Sequence, residues 1–89
     1  MNSRTTREFR ELFAALPAHV KRQARHAYRL FYRNPHHPGL HFKQVRTEPR
    51  LFSARVGMGF RAVCVLNRDR AIWFWIGSHS DYNRLLKRL

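Results

Sequence analysis

Two arginines, a histidine and a tyrosine in the second half of the sequence have the spacing of a possible phosphate-binding site. Arg55 lies near the end of one predicted strand, and Arg61 begins the next strand after the Gly57–Gly59 turn. A tight hairpin of this kind places side chains of the two strands next to each other. His79 follows the last predicted strand, and Tyr82 lies one helical turn further on. These residue types indicate a cationic cleft that holds one imidazole and one phenol.

Cleavage of RNA requires little more than these groups. The 2′-hydroxyl loses a proton, the scissile phosphate gains negative charge, and the departing 5′-oxygen takes up a proton. Guanidinium groups stabilise that charge through paired hydrogen bonds, and an imidazole that titrates near neutrality moves the protons. Lys43 and Arg46 lie on the first predicted strand, and Ser53 shares a strand and a face with Arg55; all three are expected to bind RNA.

Each of these side chains also has an ordinary structural interpretation. Arg55, judged alone, is more often a solvated strand residue than a ligand of phosphate. A lone histidine near the start of a helix, such as His79, is usually a surface or capping residue, and Tyr82 is more often a packed aromatic than an acid. Trp73 and Trp75 could stack on bases, although tryptophans in a strand more commonly pack in the core. The prediction of a site therefore depends on the whole set.

The sequence predicts no metal site and no cofactor. His36, His37 and His41 are close together, but adjacent histidines in a proline-flanked loop rarely converge on one ion, and no acidic or cysteine partner is near. The single cysteine, Cys64, alternates with inward-facing neighbours and is expected in the core, because no base is identified that would activate it as a nucleophile. No glycine-rich phosphate loop is present.

Charge is the most distinctive bulk property of the chain. Lysine and arginine number 18 and aspartate and glutamate 5, which gives a formal net charge of +13 with the histidines neutral. Such a charge attracts polyanions, of which nucleic acid is the commonest, or an acidic protein. The 89 residues, 44% of them hydrophobic, suffice for a modest core and a single domain that spans residues 1–89.

The same composition bears on the compartment. No run of residues approaches the roughly 20 apolar residues of a membrane span, and the start of the chain lacks the apolar region of a signal peptide. A single cysteine cannot form an intramolecular disulfide. The expected location is therefore cytoplasmic, with no membrane partner.

Two helices are predicted in the first third of the chain. Thr5 and Glu8 have the spacing of a capping box, and Pro17 marks a break at which the second helix begins. The apolar positions at helical spacing are Phe9, Leu12, Phe13 and Leu16 in the first helix and Val20, Ala24, Ala27, Tyr28 and Phe31 in the second. The short connection favours an antiparallel helical hairpin.

Short strands are predicted near residues 41–46, 51–57, 60–66 and 71–77, separated by turn-forming residues. A short terminal helix is expected over Asp81–Leu89, with Ser80 as its N-cap. The fold class is therefore α+β, with the helical hairpin on one face of a twisted, mainly antiparallel four-stranded sheet. Simple alternation in the last strand places Ile72, Phe74 and Ile76 on one face and Trp73 and Trp75 on the other.

Almost the whole chain resembles the RelE/ParE superfamily of toxins from bacterial toxin–antitoxin pairs. The resemblance rests on the order of segments. After a basic helical hairpin these are Leu40-His41-Phe42-Lys43, Leu51-Phe52-Ser53-Ala54-Arg55-Val56, Gly59-Phe60-Arg61-Ala62-Val63 and Ile72-Trp73-Phe74-Trp75-Ile76-Gly77-Ser78-His79. The Gly-x-Arg element, the aromatic strand and the Gly-x-His element are fairly specific for this superfamily when they occur together. No single one of them would suffice to indicate the family.

The resemblance implies a toxin that is neutralised by a cognate acidic antitoxin, which is expected to bind across the positive face with an extended or helical acidic segment that covers the cleft. In the RelE-like branch it implies entry into the ribosomal A site and cleavage of mRNA between codon positions. Arg61 matches that branch's phosphate-stabilising arginine, and Arg55 matches a basic position on the preceding strand. His79 stands where members carry a histidine or arginine, and Tyr82 matches a C-terminal tyrosine, although it lies closer to His79. Ser53 stands where RelE itself has a lysine.

Three functions follow as alternatives. The first is a ribosome-dependent mRNA endonuclease in which Arg55 and Arg61 hold the phosphate, His79 acts as general acid or base, and Tyr82 orients or exchanges protons. The second is a non-enzymatic inhibitor of DNA gyrase like the ParE branch, whose members generally lack a basic pocket with a histidine. The third is a non-catalytic basic module that binds nucleic acid. The pocket favours the first.

Overall fold

A five-stranded mixed sheet carries three α-helices in the computed structural model, which describes all 89 residues. The strands lie in the order β1-β5-β4-β3-β2. In chain order the elements are β1 (Asn2–Thr5), α1 (Arg7–Ala14), α2 (Ala18–Arg33), a 3₁₀ turn (Pro38–Leu40), β2 (Lys43–Arg46), β3 (Leu51–Val56), β4 (Phe60–Asn67), β5 (Arg70–Ser78) and α3 (His79–Arg88). The predicted α+β class and its three helices are confirmed.

The prediction of a four-stranded sheet is wrong by one strand. β1 pairs with β5 in parallel, with Ser3 opposite Ala71 and Thr5 opposite Trp73. The indole N–H of Trp73 also donates to Ser3 Oγ at 2.9 Å. β1 has only four residues, which are polar and mostly exposed. It therefore lacks the alternation of apolar and polar residues by which a strand is recognised in a sequence.

α1 and α2 lie on one face of the sheet, where α1 packs against β5 and α2 against β3. The predicted Thr5–Glu8 capping box is wrong, because Thr5 belongs to β1 and Thr6 caps α1 instead. The Thr6 hydroxyl accepts the backbone N–H of Phe9 at 3.1 Å. Leu12, predicted in the apolar stripe of this helix, is 38% exposed. No helix of the structure combines the length and the apolar character needed to cross a bilayer.

An apolar groove of about 600 Å³ separates α1 from α2 and reaches down to the sheet. Phe9 and Phe13 of α1 form one wall, and Tyr28 of α2 lies on the other. Three arginines stand at the groove: Arg10, Arg25 and Arg29. The predicted helical hairpin is thus open along its length, with an apolar interior and basic residues beside it.

The main core lies between these two helices and the sheet. Its buried members are Val20, Phe31, Leu40, Ala54, Val56, Ala62, Cys64, Leu66, Ala71, Trp73 and Ile76. The ring of Phe31 meets those of Phe42 and Trp73 edge-on, with centroids 5.1 Å and 5.2 Å apart. Aromatic contacts of this kind add to the stabilisation that burial provides.

An irregularity in β5 overturns the predicted alternation of its side chains. The pairing between β4 and β5 skips Phe74, since Trp73 and Trp75 pair with consecutive residues of β4. Such a bulge adds one residue and changes the face to which the following side chains point. Trp73 and Ile76 therefore both join the core, and the prediction that they lie on opposite faces is wrong.

α3 covers the opposite face of the sheet, where it contacts β4 and β5. Its N-cap is Ser78, whose Oγ accepts the backbone N–H of Asp81 at 3.2 Å. The prediction of Ser80 as the cap is therefore wrong by two residues, and the helix begins at His79. Tyr82 is the one buried residue of α3.

Burial should make the thiol of Cys64 unreactive in the folded protein. Cys64 is 0% exposed, and burial raises the pKa of its thiol from 9.0 to about 12. At about pH 8.5, where an ordinary thiol is about half ionised, we expect DTNB to label the native protein on the order of 1,000-fold more slowly than the urea-unfolded chain, because the thiolate is the reacting form. Equal labelling rates in the two states would contradict this placement.

Candidate functional site

The guanidinium of Arg61 lies beneath α3 and is 7% exposed. Its Nη2 donates to Ser53 Oγ at 2.9 Å and to the carbonyl oxygen of His41 at 3.3 Å. Its Cζ lies 5.2 Å from the centroid of the Tyr82 ring, which is the geometry of a cation–π contact. The Nε atom is buried and has no hydrogen-bond partner. Arg61 is thus surrounded by neutral groups that do not satisfy all of its donors.

No acidic residue balances the charge of Arg61. The two ion pairs of the structure lie on its surface: Arg7–Glu11 and Arg84–Asp81. Burial lowers the pKa of the Arg61 guanidinium; Tyr82 opposes this shift, and the charge of Arg55 adds to it. An arginine nevertheless stays protonated in a protein, and a buried cation without a counterion is costly. The site therefore favours a bound anion.

Ser53 and Tyr82 form the rest of the network beneath α3. Ser53 is 0% exposed, and its Oγ accepts from both Arg61 and the Tyr82 hydroxyl, the latter at 3.1 Å. Tyr82 is also buried, at 4% exposed. The sequence predicts that Ser53 binds RNA and that Tyr82 takes part in proton transfer. In this arrangement both side chains hold Arg61 in position and are closed to solvent.

Arg55 lies directly opposite Arg61 in the β3–β4 hairpin. Because β2 pairs with β3 only as far as Ser53, no strand pairs with β3 at Arg55 on that side, and His41 contacts it there instead. Its Nε donates to the carbonyl oxygen of Gly57 at 3.1 Å, and its Nη1 lies 3.4 Å from His41 Nε2. The hairpin thus brings together one half-buried and one buried guanidinium.

His41 is a site residue that the sequence analysis assigned no role. It follows the 3₁₀ turn with φ of 45°, in the left-handed region that residues other than glycine seldom adopt. In this conformation its carbonyl oxygen contacts Arg61 and its ring contacts Arg55. Because an arginine can only donate, His41 Nε2 is the acceptor of that contact. The sequence signal is the Pro-Gly turn that immediately precedes it.

His79 is the first residue of α3, and its side chain is exposed. Its backbone N–H donates to the carbonyl oxygen of Gly59 at 2.9 Å, which links the start of α3 to the β3–β4 turn. The imidazole meets the ring of Tyr82 edge-on, with centroids 5.8 Å apart. His79 therefore lies beside the aromatic ring that covers Arg61, with its imidazole accessible to a ligand.

Lys43 and Arg46 lie on the edge strand β2, and both are exposed. Lys43 is opposite Ser53, so it flanks the buried network on its open side. The Nη1 of Arg46 donates to the carbonyl oxygen of Leu89, so its guanidinium holds the residue that follows α3. Of the two, Lys43 is better placed to bind a backbone phosphate.

The two tryptophans of β5 occupy different faces. Trp73 is 5% exposed in the core, so it is not available to stack on a base. Trp75 is half-buried on the side of α3, with its ring 6.4 Å from that of Tyr82. It also fills the space beside Gly77, where an added Cβ would lie 2.7 Å from the indole. Trp75 therefore supports the ring that covers Arg61.

Together these residues form a site for an oxyanion. Arg55 and Arg61 supply adjacent positive charges, and His41 and His79 supply two imidazoles. No three histidine, cysteine or acidic residues lie together as a metal site would require. The arrangement can bind a phosphate and offers groups that move protons.

Replacement of Ser53 by alanine tests whether this hydroxyl organises the network. Ser53→Ala leaves one donor of Arg61 and the Tyr82 hydroxyl without a buried acceptor, so the free energy of unfolding should fall by about 1–3 kcal/mol. Urea denaturation measures the change. Tyr82→Phe removes only the second hydrogen bond and should cost less. Equal stability of Ser53→Ala and the unaltered protein would show that the hydroxyl has no such role.

Solved structures share this fold at low sequence identity, whereas no curated protein sequence matches the chain. A RelB–RelE antitoxin–toxin complex from Methanococcus jannaschii aligns with a TM-score of 0.72 and 13% identity over 91% of this chain and 95% of that chain. The archaeal RelE–RelB complex from Pyrococcus horikoshii OT3 aligns at 0.68 and 12%, over 86% and 92%. YafQ from E. coli strain BL21(DE3) aligns at 0.69 and 10%, over 91% and 96%.

The sequence itself supports an assignment to a family. A model of the ParE-like toxin domain matches residues 18–84, a range that contains Arg55, Arg61, His79 and Tyr82. The match covers most of the chain, and the fold agrees with that of the solved structures named above. The chain therefore belongs to the ParE-like toxin domain family, within the RelE/ParE superfamily of toxins.

Proposed function

We propose that this protein is the toxin of a toxin–antitoxin pair and that it cleaves messenger RNA on the ribosome. The observation that carries the proposal is the buried charge of Arg61, which has no carboxylate partner. A scissile phosphate supplies the missing anion. The phosphate gains charge during cleavage, so the interaction is stronger in the transition state than in the bound substrate. The net charge of +13 attracts the RNA.

In the proposed reaction the 2′-oxygen attacks the adjacent phosphorus, and the bond from phosphorus to the 5′-oxygen breaks. One product ends in a 2′,3′-cyclic phosphate and the other begins with a 5′-hydroxyl. A base accepts the proton of the 2′-hydroxyl, and an acid gives a proton to the departing oxygen. We assign these two steps to the imidazoles of His79 and His41, which flank the paired arginines.

Arg55 is the guanidinium that the phosphate meets first, because it is half-buried at an open part of β3. Arg61 lies below the ring of Tyr82, so its contact with the phosphate requires that ring to move. Tyr82 is the one buried residue of α3, and a shift of this short helix is enough to move it. Tyr82 is thus a positioning residue that covers Arg61 until RNA binds.

A second function, inhibition of DNA gyrase without nuclease activity, is favoured by the match to the ParE-like toxin domain. The two functions differ in their chemistry. Primer extension on mRNA from cells that express the protein would give cuts in phase with codons if the protein is the nuclease. Breaks in DNA without such cuts would support the gyrase inhibitor.

The proposed partner is an acidic antitoxin. Two of the similar structures are complexes of RelE with RelB. In this chain the apolar groove between α1 and α2, with its three arginines, suits an amphipathic helix that buries an apolar face and carries acidic residues at its edges. The sequence-based expectation places the antitoxin across the cationic cleft instead, which lies on the opposite face of the sheet.

Replacement of Arg61 tests the nuclease. Arg61→Gln removes the charge and keeps hydrogen-bonding capacity, so we expect growth inhibition to disappear and codon-phased cleavage to fall by about 10²–10³-fold. Thermal unfolding should show that the variant still folds. Arg88→Gln removes an equal charge from the exposed end of α3 and should remain toxic. A folded Arg61→Gln variant with full toxicity would exclude this role for the arginine.

Two tyrosines of α2 allow a matched test of the groove. Tyr28 lines the groove and is 45% exposed, whereas Tyr32 lies one turn further on, outside the groove, at 70% exposed. Tyr28→Asp places a negative charge where an acidic helix would dock, so the antitoxin should bind at least about tenfold more weakly. Tyr32→Asp should bind normally. Calorimetry with the proposed antitoxin measures both, and equal affinities would rule the groove out.

A further inference from the structure

A second cationic cleft lies between the first half of α2, the segment before the 3₁₀ turn and the β3–β4 turn. Its volume is about 580 Å³. We call it the histidine cleft, after the charged and titratable side chains that line it: His19, Arg22, His26, His37 and Arg55. None of the functions considered above uses the first four of these residues.

The histidine cleft presents its cationic side chains as a row. His19, Arg22 and His26 are three and four residues apart on α2, so they lie along one face of the helix. All three are exposed. His37 adds a third imidazole from the adjoining loop, where its Nδ1 accepts the backbone N–H of Gly39 at 3.0 Å and leaves Nε2 as the free ring nitrogen.

No negative charge competes for these groups, because none of the five acidic residues lines the histidine cleft. Arg22 and Arg55 are permanently charged, and the imidazoles add ring nitrogens that can form hydrogen bonds with a phosphate or a ribose hydroxyl. The floor contains Leu30 and Leu40, so the cleft combines a cationic wall with an apolar base. Such a surface fits the phosphates and sugars of a nucleic-acid strand.

Arg55 connects the histidine cleft to the candidate site. It lines the cleft and also lies opposite Arg61 in the β3–β4 hairpin. β2 does not extend alongside this part of β3. His41 lies there instead, with its Nε2 3.4 Å from Arg55 Nη1, so the path from one surface to the other runs past this imidazole at the edge of the sheet. Gln23, which also lines the cleft, has its side-chain amide beside Gly57 of the same hairpin.

We propose that the histidine cleft binds the sugar–phosphate backbone of the RNA strand next to the phosphate held at Arg55 and Arg61. This proposal rests on the proposed function, since the cleft holds the part of the RNA substrate that adjoins the scissile phosphate. The cleft contributes affinity and direction without touching the reacting atoms. The RNA strand passes from the face covered by α3, over Arg55, to the side of α2.

A matched pair of double variants tests the proposal. Arg22→Gln with His26→Gln removes one arginine and one histidine from the cleft. Arg33→Gln with His36→Gln removes the same residue types from exposed positions outside it. The probe is a short fluorescein-labelled single-stranded RNA with 2′-O-methyl groups, which cannot be cleaved. Fluorescence anisotropy measures its dissociation constant over a range of salt concentrations.

The cleft variant should bind this RNA about tenfold more weakly than the unaltered protein, and the slope of log K against log salt should fall by about 1, as expected for one lost phosphate contact. The control variant should change affinity less than about twofold. Equal losses in both variants would overturn the proposal, because they would show only the general attraction of a basic protein. Thermal unfolding should confirm that both variants fold.

Two competitors identify the ligand. If inorganic phosphate displaces the RNA when both are present at the same concentration of phosphate groups, the proposal is overturned, because the cleft would then be a site for small anions. A glutamate-rich peptide is the second competitor. If the cleft variant loses binding of this peptide but keeps binding of the RNA, the proposal is also overturned, because the cleft would then bind a protein partner. The measurement needs neither cleavage nor ribosomes. Full toxicity of a folded Arg61→Gln variant would therefore exclude the nuclease function, and the RNA affinity measured for the cleft variant could still be interpreted.

Discussion

A buried positive charge without a carboxylate is the constraint on which this face of the protein depends. Arg61 is held by one hydroxyl, one carbonyl and one aromatic ring, none of them charged. The transfer of a cation from water into such surroundings is costly, and neutral partners recover only part of the loss. The fold is therefore less stable than its packing alone would make it. An anion that reaches the guanidinium stabilises the folded state, so binding and folding are linked at this residue.

The sheet separates the polar network around Arg61 from the apolar core, because neighbouring residues of a strand point to opposite faces. On β3, Ser53 belongs to the polar network and Ala54 to the core; on β4, Arg61 and Ala62 divide in the same way. Ala54 and Ala62 also line the apolar groove. One pair of strands thus supplies both the cationic site and the base of the groove. A phosphate held at Arg61 on one face and a protein partner in the groove on the other would be separated only by the thickness of the sheet.

The sequence contains enough to predict the elements with clear periodicity and the hairpin that pairs Arg55 with Arg61. It does not reveal β1, which is too short and polar to show a pattern, or the bulge at Phe74, which depends on pairing with a distant strand. The burial of Arg61 is also hidden, because a charged residue in a strand is ordinarily read as solvated. His41 is missed for a similar reason, since a backbone carbonyl and a left-handed conformation leave little trace in residue type.

Gly57 lies where the helical layer meets the hairpin that bears the paired arginines. Its φ is 60°, a left-handed conformation that glycine adopts without strain. A Cβ at this position would overlap the end of the Gln23 side chain on α2, which is flexible and would have to turn aside. A residue with a side chain would therefore strain the backbone of the turn, next to the strand that carries Arg55, more than it would displace α2. The packing of helix against turn is in this sense tolerant of change, whereas the backbone of the turn is not.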